Sequence, residues 1–328
     1  MTASPLSRLP RYPLAFLPTP LHEAPNLARA LGGPRLFIKR DDLTGLAFGG
    51  NKARKLEFLV ADALAQGCDT LITTGAAQSN HCRQTAAAAR KCGLRCVLVL
   101  TPSHHEEFQG NILLDALLKA EVVRCSADAQ AETLAQVAAE ERARGNTPCV
   151  IPLGGSTGIG AMGYAAMMGE LGAQLQAQSL SPAAMYFSSG SAGTHAGMFL
   201  GKRLFDLDLA LLGVSPSRSA AHVRSEAAAI AAEGALLLGI DVATLPSDFD
   251  VDDAFIGPGY GISTPASLEA VRLFAEHEGI LIDPVYTAKA AAAMIAHIRA
   301  NRFDSDQTVL FLHTGGTPAL FAYADDFA

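Results

Sequence analysis

The stretch that most limits what this chain can become runs from Phe48 to His81. It reads F-G-G-N-K-A-R-K-L-E-F-L-V, passes through a strand-like run from Thr70 to Thr74, and ends G-A-A-Q-S-N-H. Gly49 and Gly50 allow a sharp turn and a close approach to a flat ligand. Lys52 then opens an amphipathic segment with Leu56, Leu59, Val60, Ala63 and Leu64 on one helical stripe. The positive end of a helix dipole favours a lysine's neutral amine, and a neutral amine can condense with an aldehyde. Beyond Gly75, Ser79 and Asn80 suit a helix N-cap, and the N–H groups of that turn suit a carboxylate. Each half alone has a plain reading, Lys52 as a solvated charge and Q-S-N-H as a polar cap. Their order on consecutive strand–helix units, with a third site far downstream, favours one site over the plain readings.

Composition narrows the partners. The 328 residues are 49% hydrophobic, enough for two domains or one large α/β domain with a core of its own. A net charge of −7 gives no electrostatic footprint for nucleic acid, and no basic run suits an anionic membrane surface. No apolar run is long enough to span a bilayer, and the N-terminus lacks the apolar core of a signal peptide. The six cysteines fall between Cys68 and Cys149 without C-x-x-C or zinc-ligand spacing. They read as free thiols in a reducing cytosol, with Cys82 beside His81 the most interesting, and the expected location is the cytoplasm. The run His104 to Glu107 reads as a solvated loop, and no metal is expected.

Residues 1–34 are rich in proline and read as an arm laid over a surface. From Leu36 to Lys39 onward, short apolar strands alternate with helical spacings, which predicts parallel sheets covered by helices. A glycine-rich break at 152–160 is the best domain crossing, and 237–258 reads as loop. Downstream, Gly190 to Gly197 follows a strand and opens a helix, the usual cradle for a phosphate. Glycines at 190, 193 and 197 miss the dinucleotide pattern, and Ala196 breaks the P-loop pattern. A monophosphate is the better fit; a plain helix start with small packing residues stays open. Lysine, phosphate cradle and carboxylate turn together are the inventory for pyridoxal 5′-phosphate.

The ordered motifs I-K-R-D-D, G-G-N-K-x-R-K-L-E-F-L, Q-S-N-H-x-R-Q-T-A-A, G-S-A-G-T-H-A-G, G-Y-G, D-P-V-Y-T-x-K-A and H-T-G-G-x-P-A-L-F-A-Y span nearly the whole chain. In them the chain resembles the D-cysteine desulfhydrase and 1-aminocyclopropane-1-carboxylate deaminase family of fold-type II pyridoxal-phosphate enzymes. The resemblance implies a tryptophan synthase β-like α/β fold of two open twisted domains, mostly parallel, with the cofactor in the cleft. Residues 1–52 plus 158–328 would form the large cofactor-binding domain and 53–157 the small one. Lys52 would bind the cofactor covalently and later shuttle a proton. Asn80 would meet its 3-hydroxyl, and Gly190, Ser191, Ala192, Gly193 and Thr194 would hold its phosphate. Gln78, Ser79, Asn80 and His81 would surround the substrate, with Ser79 beside its carboxylate and α-carbon. Tyr260 and Tyr286 would orient the substrate and assist proton transfers.

Within this family the deaminases carry a Glu directly after the second tyrosine, facing the pyridine nitrogen, where this chain has Thr287. They also tend to H-L-G-G, where this chain has H-T-G-G, and in desulfhydrase-like members that threonine, here Thr314, meets the nitrogen. A hydroxyl leaves a weaker electron sink than a carboxylate, sufficient where a good leaving group departs from the β-carbon. The resemblance therefore implies a lyase that converts D-cysteine to pyruvate, hydrogen sulfide and ammonia. Alternatives are elimination from L-cysteate or a chloroalanine, and 1-aminocyclopropane-1-carboxylate deamination. The expected partners are a small amino-acid substrate and a second copy of the chain in a homodimer.

Overall fold

The computed structural model describes residues 4–328, and its frame is set by two mostly parallel sheets whose inner strands are buried along most of their length. The first segments are β1 (Leu21–Glu23), α1 (Pro25–Leu31), β2 (Arg35–Arg40) and α2 (Lys52–Ala65). A compact run follows: β3 (Thr70–Ala76), α3 (Asn80–Lys91), β4 (Arg95–Thr101), α4 (Gly110–Leu117), β5 (Glu121–Arg124), α5 (Gln130–Ala143) and β6 (Pro148–Ile151). The remainder comprises α6 (Gly158–Ala177), β7 (Ala184–Ser188), α7 (Gly193–Leu204), β8 (Ala210–Val214), α8 (Ala220–Leu238) and β9 (Asp250–Asp252). It closes with α9 (Pro265–Glu278), α10 (Thr287–Arg299), β10 (Thr308–His313) and α11 (Thr317–Ala322).

The four-stranded sheet runs β5-β4-β3-β6, and all its pairs are parallel. The six-stranded sheet runs β1-β2-β10-β7-β8-β9 and is parallel except for the short edge pair β1–β2. β4 shows why these segments are strands. Its C-V-L-V-L run is buried on both faces, between α3-side residues such as Ala88 and α5-side residues such as Val137. Helices α9 and α10 cover one face of the large sheet, and α6 covers the other with Met167, Met168 and Leu171.

Two expectations need correction. The proline-rich arm is not only a surface strap: it supplies β1 and α1, with Pro25 opening the helix and Gly32 ending it at φ +61°. The loop-rich stretch 237–258 contains β9, whose three residues extend the sheet beside β8. Both strands are too short to show an alternating pattern.

The arm is fastened by a buried charge cluster. Arg54, 1% exposed, donates from Nε and Nη2 to both oxygens of Asp41 at 2.8 Å, and from Nη1 to Glu170 at 3.0 Å. Lys39 donates to Glu170, to Gln174 at 2.7 Å and to the Thr19 carbonyl at 2.8 Å, while Tyr164 donates to Asp41 at 2.6 Å. Two cations and two carboxylates thus neutralise one another where the arm, β2, α2 and α6 meet. Removing one partner strands a charge without water, which typically costs about 3–5 kcal/mol. Arg54→Ala is expected to lower the unfolding free energy measured in urea by that amount, and an unchanged value would show that the cluster does not hold the fold.

Candidate active site

Strand ends converge on one cavity of about 350 Å³. The loops after β3, β7, β8 and β10 all line it, as does the start of α2, so it lies beyond the carboxyl ends of the strands, where open α/β sheets bind ligands.

The turn that leads into Lys52 is strained. Ala47, Phe48, Gly49 and Gly50 all have positive φ, of 43°, 68°, 66° and 123°. For Ala47 and Phe48 this is a costly conformation that neighbours must impose. Thr44 Oγ1 accepts from the Gly50 N–H at 2.8 Å and donates to the Gly50 carbonyl at 2.9 Å. Arg83, fully buried on α3, donates to the Ala47 carbonyl and to that of Gly49 at 3.2 Å. A Cβ on Gly315 would lie 2.6 Å from Gly50 Cα, so the glycine turn after β10 presses directly on this one.

Lys52 emerges from that turn as the first residue of α2, half-buried on the cavity wall, with Nζ donating to Asn51 Oδ1 at 2.9 Å. Asn51 passes the link on, donating from Nδ2 to Thr194 Oγ1 at 3.1 Å and from its backbone to the Thr314 carbonyl. Burial lowers the Lys52 pKa to about 8, with Asp283 opposing the shift and Arg83 reinforcing it. Removal from water thus leads, where the sequence alone suggested the helix dipole.

Ser79 caps α3, its Oγ accepting from the Cys82 N–H at 3.2 Å, and lines the cavity with Asn80. Asn80 Oδ1 accepts from Asn111 Nδ2 at 2.9 Å, which leaves the Asn80 amide N–H as the end available to a ligand. His81 also lines the cavity. Thr73 gives its one hydroxyl proton to the Ile151 carbonyl at 2.7 Å, so His81 Nε2 must be the donor in their 2.7 Å contact. Its Nδ1 is then a buried acceptor without a partner among the described residues, and burial with the nearby Lys52 and Lys55 holds the ring neutral.

The phosphate-cradle residues Gly190, Ser191, Ala192 and Thr194 line the opposite wall, and Gly193 opens α7 behind them. Ser191 accepts from Ser156 at 2.8 Å, and the first turn of α7 has N–H groups without intrahelical partners. A Cβ on Gly193 would fall 2.7 Å from Ser156 Oγ and 2.8 Å from Lys55 Nζ. Lys55 therefore holds its amine directly behind the cradle, and burial and the charge of Lys52 push its pKa well down. Ser188, deeply buried at the end of β7, has a hydroxyl without a protein partner on the same wall. Thr314 closes the cavity on the β10 side, and Tyr260 and Tyr286 sit at its mouth with hydroxyls 2.5 Å apart.

Not every expected residue arrives. Gln78 stays outside the cavity: its Oε1 accepts from the Asn111 N–H at 2.9 Å and its Nε2 donates to the Gln109 carbonyl at 3.2 Å, fastening α4. Thr287 is fully buried and turns its hydroxyl onto Asp283 at 2.6 Å, so it does not reach the cavity. Cys82 is buried and its thiol is pushed well above 9, so its place beside His81 gives it no reactivity. His105 is not simply solvated; its ring stacks on Tyr323 with centroids 4.1 Å apart. Asp283, Asn111, Arg83 and Lys55 were unassigned by sequence, though each but Asn111 falls inside or beside a quoted motif.

Comparison with known proteins adds three findings. Residues 13–315 match the family described as pyridoxal-phosphate dependent enzyme. The chain is 46% identical to the D-cysteine desulfhydrase of Salmonella newport and 47% identical to that of Salmonella choleraesuis, each over 97% of both chains. Among solved structures, an ACC deaminase homologue superposes with a TM-score of 0.89 at 37% identity, covering 98% of this chain and 96% of the other. A T.th. threonine deaminase, at 22% identity and a TM-score of 0.64 over 91% of this chain and 92% of the other, shares the fold.

The cavity fits an aldehyde that carries a phosphate. The buried Lys55 amine stands behind the cradle, and the acceptor of His81 and the hydroxyl of Ser188, unpartnered among the described residues, suit a polar ligand. Because deprotonation produces the reactive amine, raising the pH should activate Lys52. In cofactor-free protein, its rate of borohydride-trapped modification by a simple aldehyde is expected to rise with a midpoint near pH 8. A midpoint at the ordinary lysine value of 10.5 would contradict the burial assigned to it.

Proposed function

Since the chain belongs to the pyridoxal-phosphate dependent enzyme family, we propose that it is a D-cysteine desulfhydrase, releasing hydrogen sulfide, pyruvate and ammonia from D-cysteine. Pyridoxal 5′-phosphate, when bound, supplies the electron sink that the α-carbon needs as its proton and the β-substituent leave. This chain's own residues do the rest. Lys52 would provide the amine that anchors the cofactor and a base for the α-proton. The Ser191 and Thr194 hydroxyls and the first turn of α7 would hold the phosphate, with the Lys55 amine behind them. The Asn80 amide N–H would be free to meet the cofactor ring. Ser79 and the N–H groups at the start of α3 receive the substrate carboxylate. Tyr260 and Tyr286 hydrogen-bond to one another, and burial keeps Tyr286 protonated well beyond neutral pH, so the pair can hand a proton to the departing sulfur.

One observation carries the choice of elimination over deamination of a cyclopropane. Among the described residues lining the cavity there is no Asp or Glu, and Thr314 brings a hydroxyl to its wall. Without a carboxylate to keep the ring nitrogen protonated the sink is weak, which suits a thiol that leaves readily. The preference for the D-isomer rests on the likeness to the Salmonella enzymes.

The chain divides functionally between its sheets, with 1–52 and 158–328 as the cofactor-holding body and 53–157 as the smaller one. It works in the cytoplasm as a homodimer; the exposed Phe16, Leu43 and Phe48 around the glycine turn support a second copy. No helix among the described residues is long and apolar enough to cross a membrane.

With D-cysteine, sulfide and pyruvate should appear in equal amounts, and Lys52→Ala should lower kcat by about a thousandfold or more. Release of 2-oxobutyrate from 1-aminocyclopropane-1-carboxylate, or of sulfite from cysteate, at a higher kcat/KM would overturn the assignment.

A further inference from the structure

Lys289 lies in the first turn of α10, 1% exposed, and no carboxylate stands within ion-pair distance among the described residues. Its ammonium spends all three donors on backbone carbonyls: Pro216 at 3.2 Å, Ile256 at 2.7 Å and Gly259 at 2.8 Å. Burying a lysine without a paired carboxylate is unusual and costly. Burial lowers its pKa to about 8, with the charge of Asp283 opposing the shift. Three carbonyl oxygens aimed at one point repel one another unless a cation stands between them. This is the coordination by which proteins hold hard cations, with the lysine ammonium in the cation's place.

The three carbonyls belong to segments that border the active site. Pro216 follows β8, lies 3.3 Å from where a Cβ on Gly190 would sit, and precedes the cavity residues Ser217 and Arg218. Ile256 and Gly259 belong to the loop between β9 and α9, which turns at Gly257 (φ +69°) and Gly261 (φ +73°) and carries Tyr260 between them. Tyr286 stands at the N-cap of the helix that bears Lys289. One side chain therefore ties the Tyr260 loop to the helix that starts at Tyr286, and their hydroxyls meet at 2.5 Å.

We propose that Lys289 is a built-in monovalent cation that fixes the Gly257–Gly261 loop, making it the positioning residue for Tyr260. Its effect on turnover rests on the tyrosine roles proposed above; its cation role does not.

The test replaces the tethered cation by a free one. Lys289→Ala is expected to lose about tenfold to a hundredfold in kcat with a smaller change in KM, and to melt several degrees lower. Potassium or ammonium at about 100 mM should restore kcat at least about fivefold and raise the melting temperature, whereas tetramethylammonium at equal ionic strength should do neither. The wild-type protein should respond to none of them by more than about twofold. A variant with full kcat, or one whose kcat and melting temperature no small cation restores, would overturn the proposal. If the variant does not fold, the wild type decides: an intrinsic requirement for added potassium or ammonium would mean that the site is not filled by Lys289. Wild-type protein inactive on D-cysteine would count against the lyase reading alone, because the melting measurement would still stand.

Discussion

An amine stays reactive near neutral pH only if it is taken out of water and denied a carboxylate in direct contact, and most of the structure around residue 52 meets that condition. The turn ahead of it has positive φ at four consecutive residues, strained at Ala47 and Phe48, and is held by Arg83 and Thr44. Arg83 does two things at once, since its guanidinium clamps the turn and its charge disfavours protonation of Lys52. Asp283 is near enough to oppose the shift but is occupied: its carboxylate accepts the N–H groups of Val285, Tyr286 and Thr287 and the Thr287 hydroxyl. The lysine is thus offered an amide oxygen, from Asn51, and no acid.

Buried polar chemistry recurs throughout this fold, always with its partners arranged in advance. The Arg54–Asp41–Glu170–Lys39 cluster fixes the far side of α2, so the helix that presents Lys52 cannot shift without breaking several charge-assisted bonds. Lys289 plays a comparable part on the other wall with backbone carbonyls alone. Between these anchors the cavity walls are rich in glycine, serine, threonine and asparagine, small groups that let a flat ligand approach while offering many hydrogen bonds.

How much of this could be read from residues alone depended on the range of the interaction. Strand–helix alternation, the Ser79 cap and the Gly190–Thr194 turn are local, and local patterns leave local signals. The short strands β1 and β9 exist only because a longer neighbour offers an edge, so no periodicity announces them. Site membership failed where a side chain had two possible employers. Gln78 stands in a motif with Ser79 and Asn80, yet Asn111 and Gln109, some thirty positions on, draw it away from the cavity. Thr287 was read against a residue that reaches the cofactor, but a hydroxyl one bond from its own backbone prefers the Asp283 carboxylate four residues back. Lys55 and Lys289 stood in plain view inside quoted motifs; only the third dimension gives one a phosphate cradle and the other three carbonyls.

All the chemistry assigned here passes through a single nitrogen. Borohydride reduction of the purified, cofactor-loaded protein, followed by digestion and peptide mass mapping, tests it most directly. The phosphopyridoxyl group should be found on the peptide that holds Lys52 and on no other. Its recovery on Lys55 or elsewhere, or no modified peptide from protein that is still active, would contradict the account.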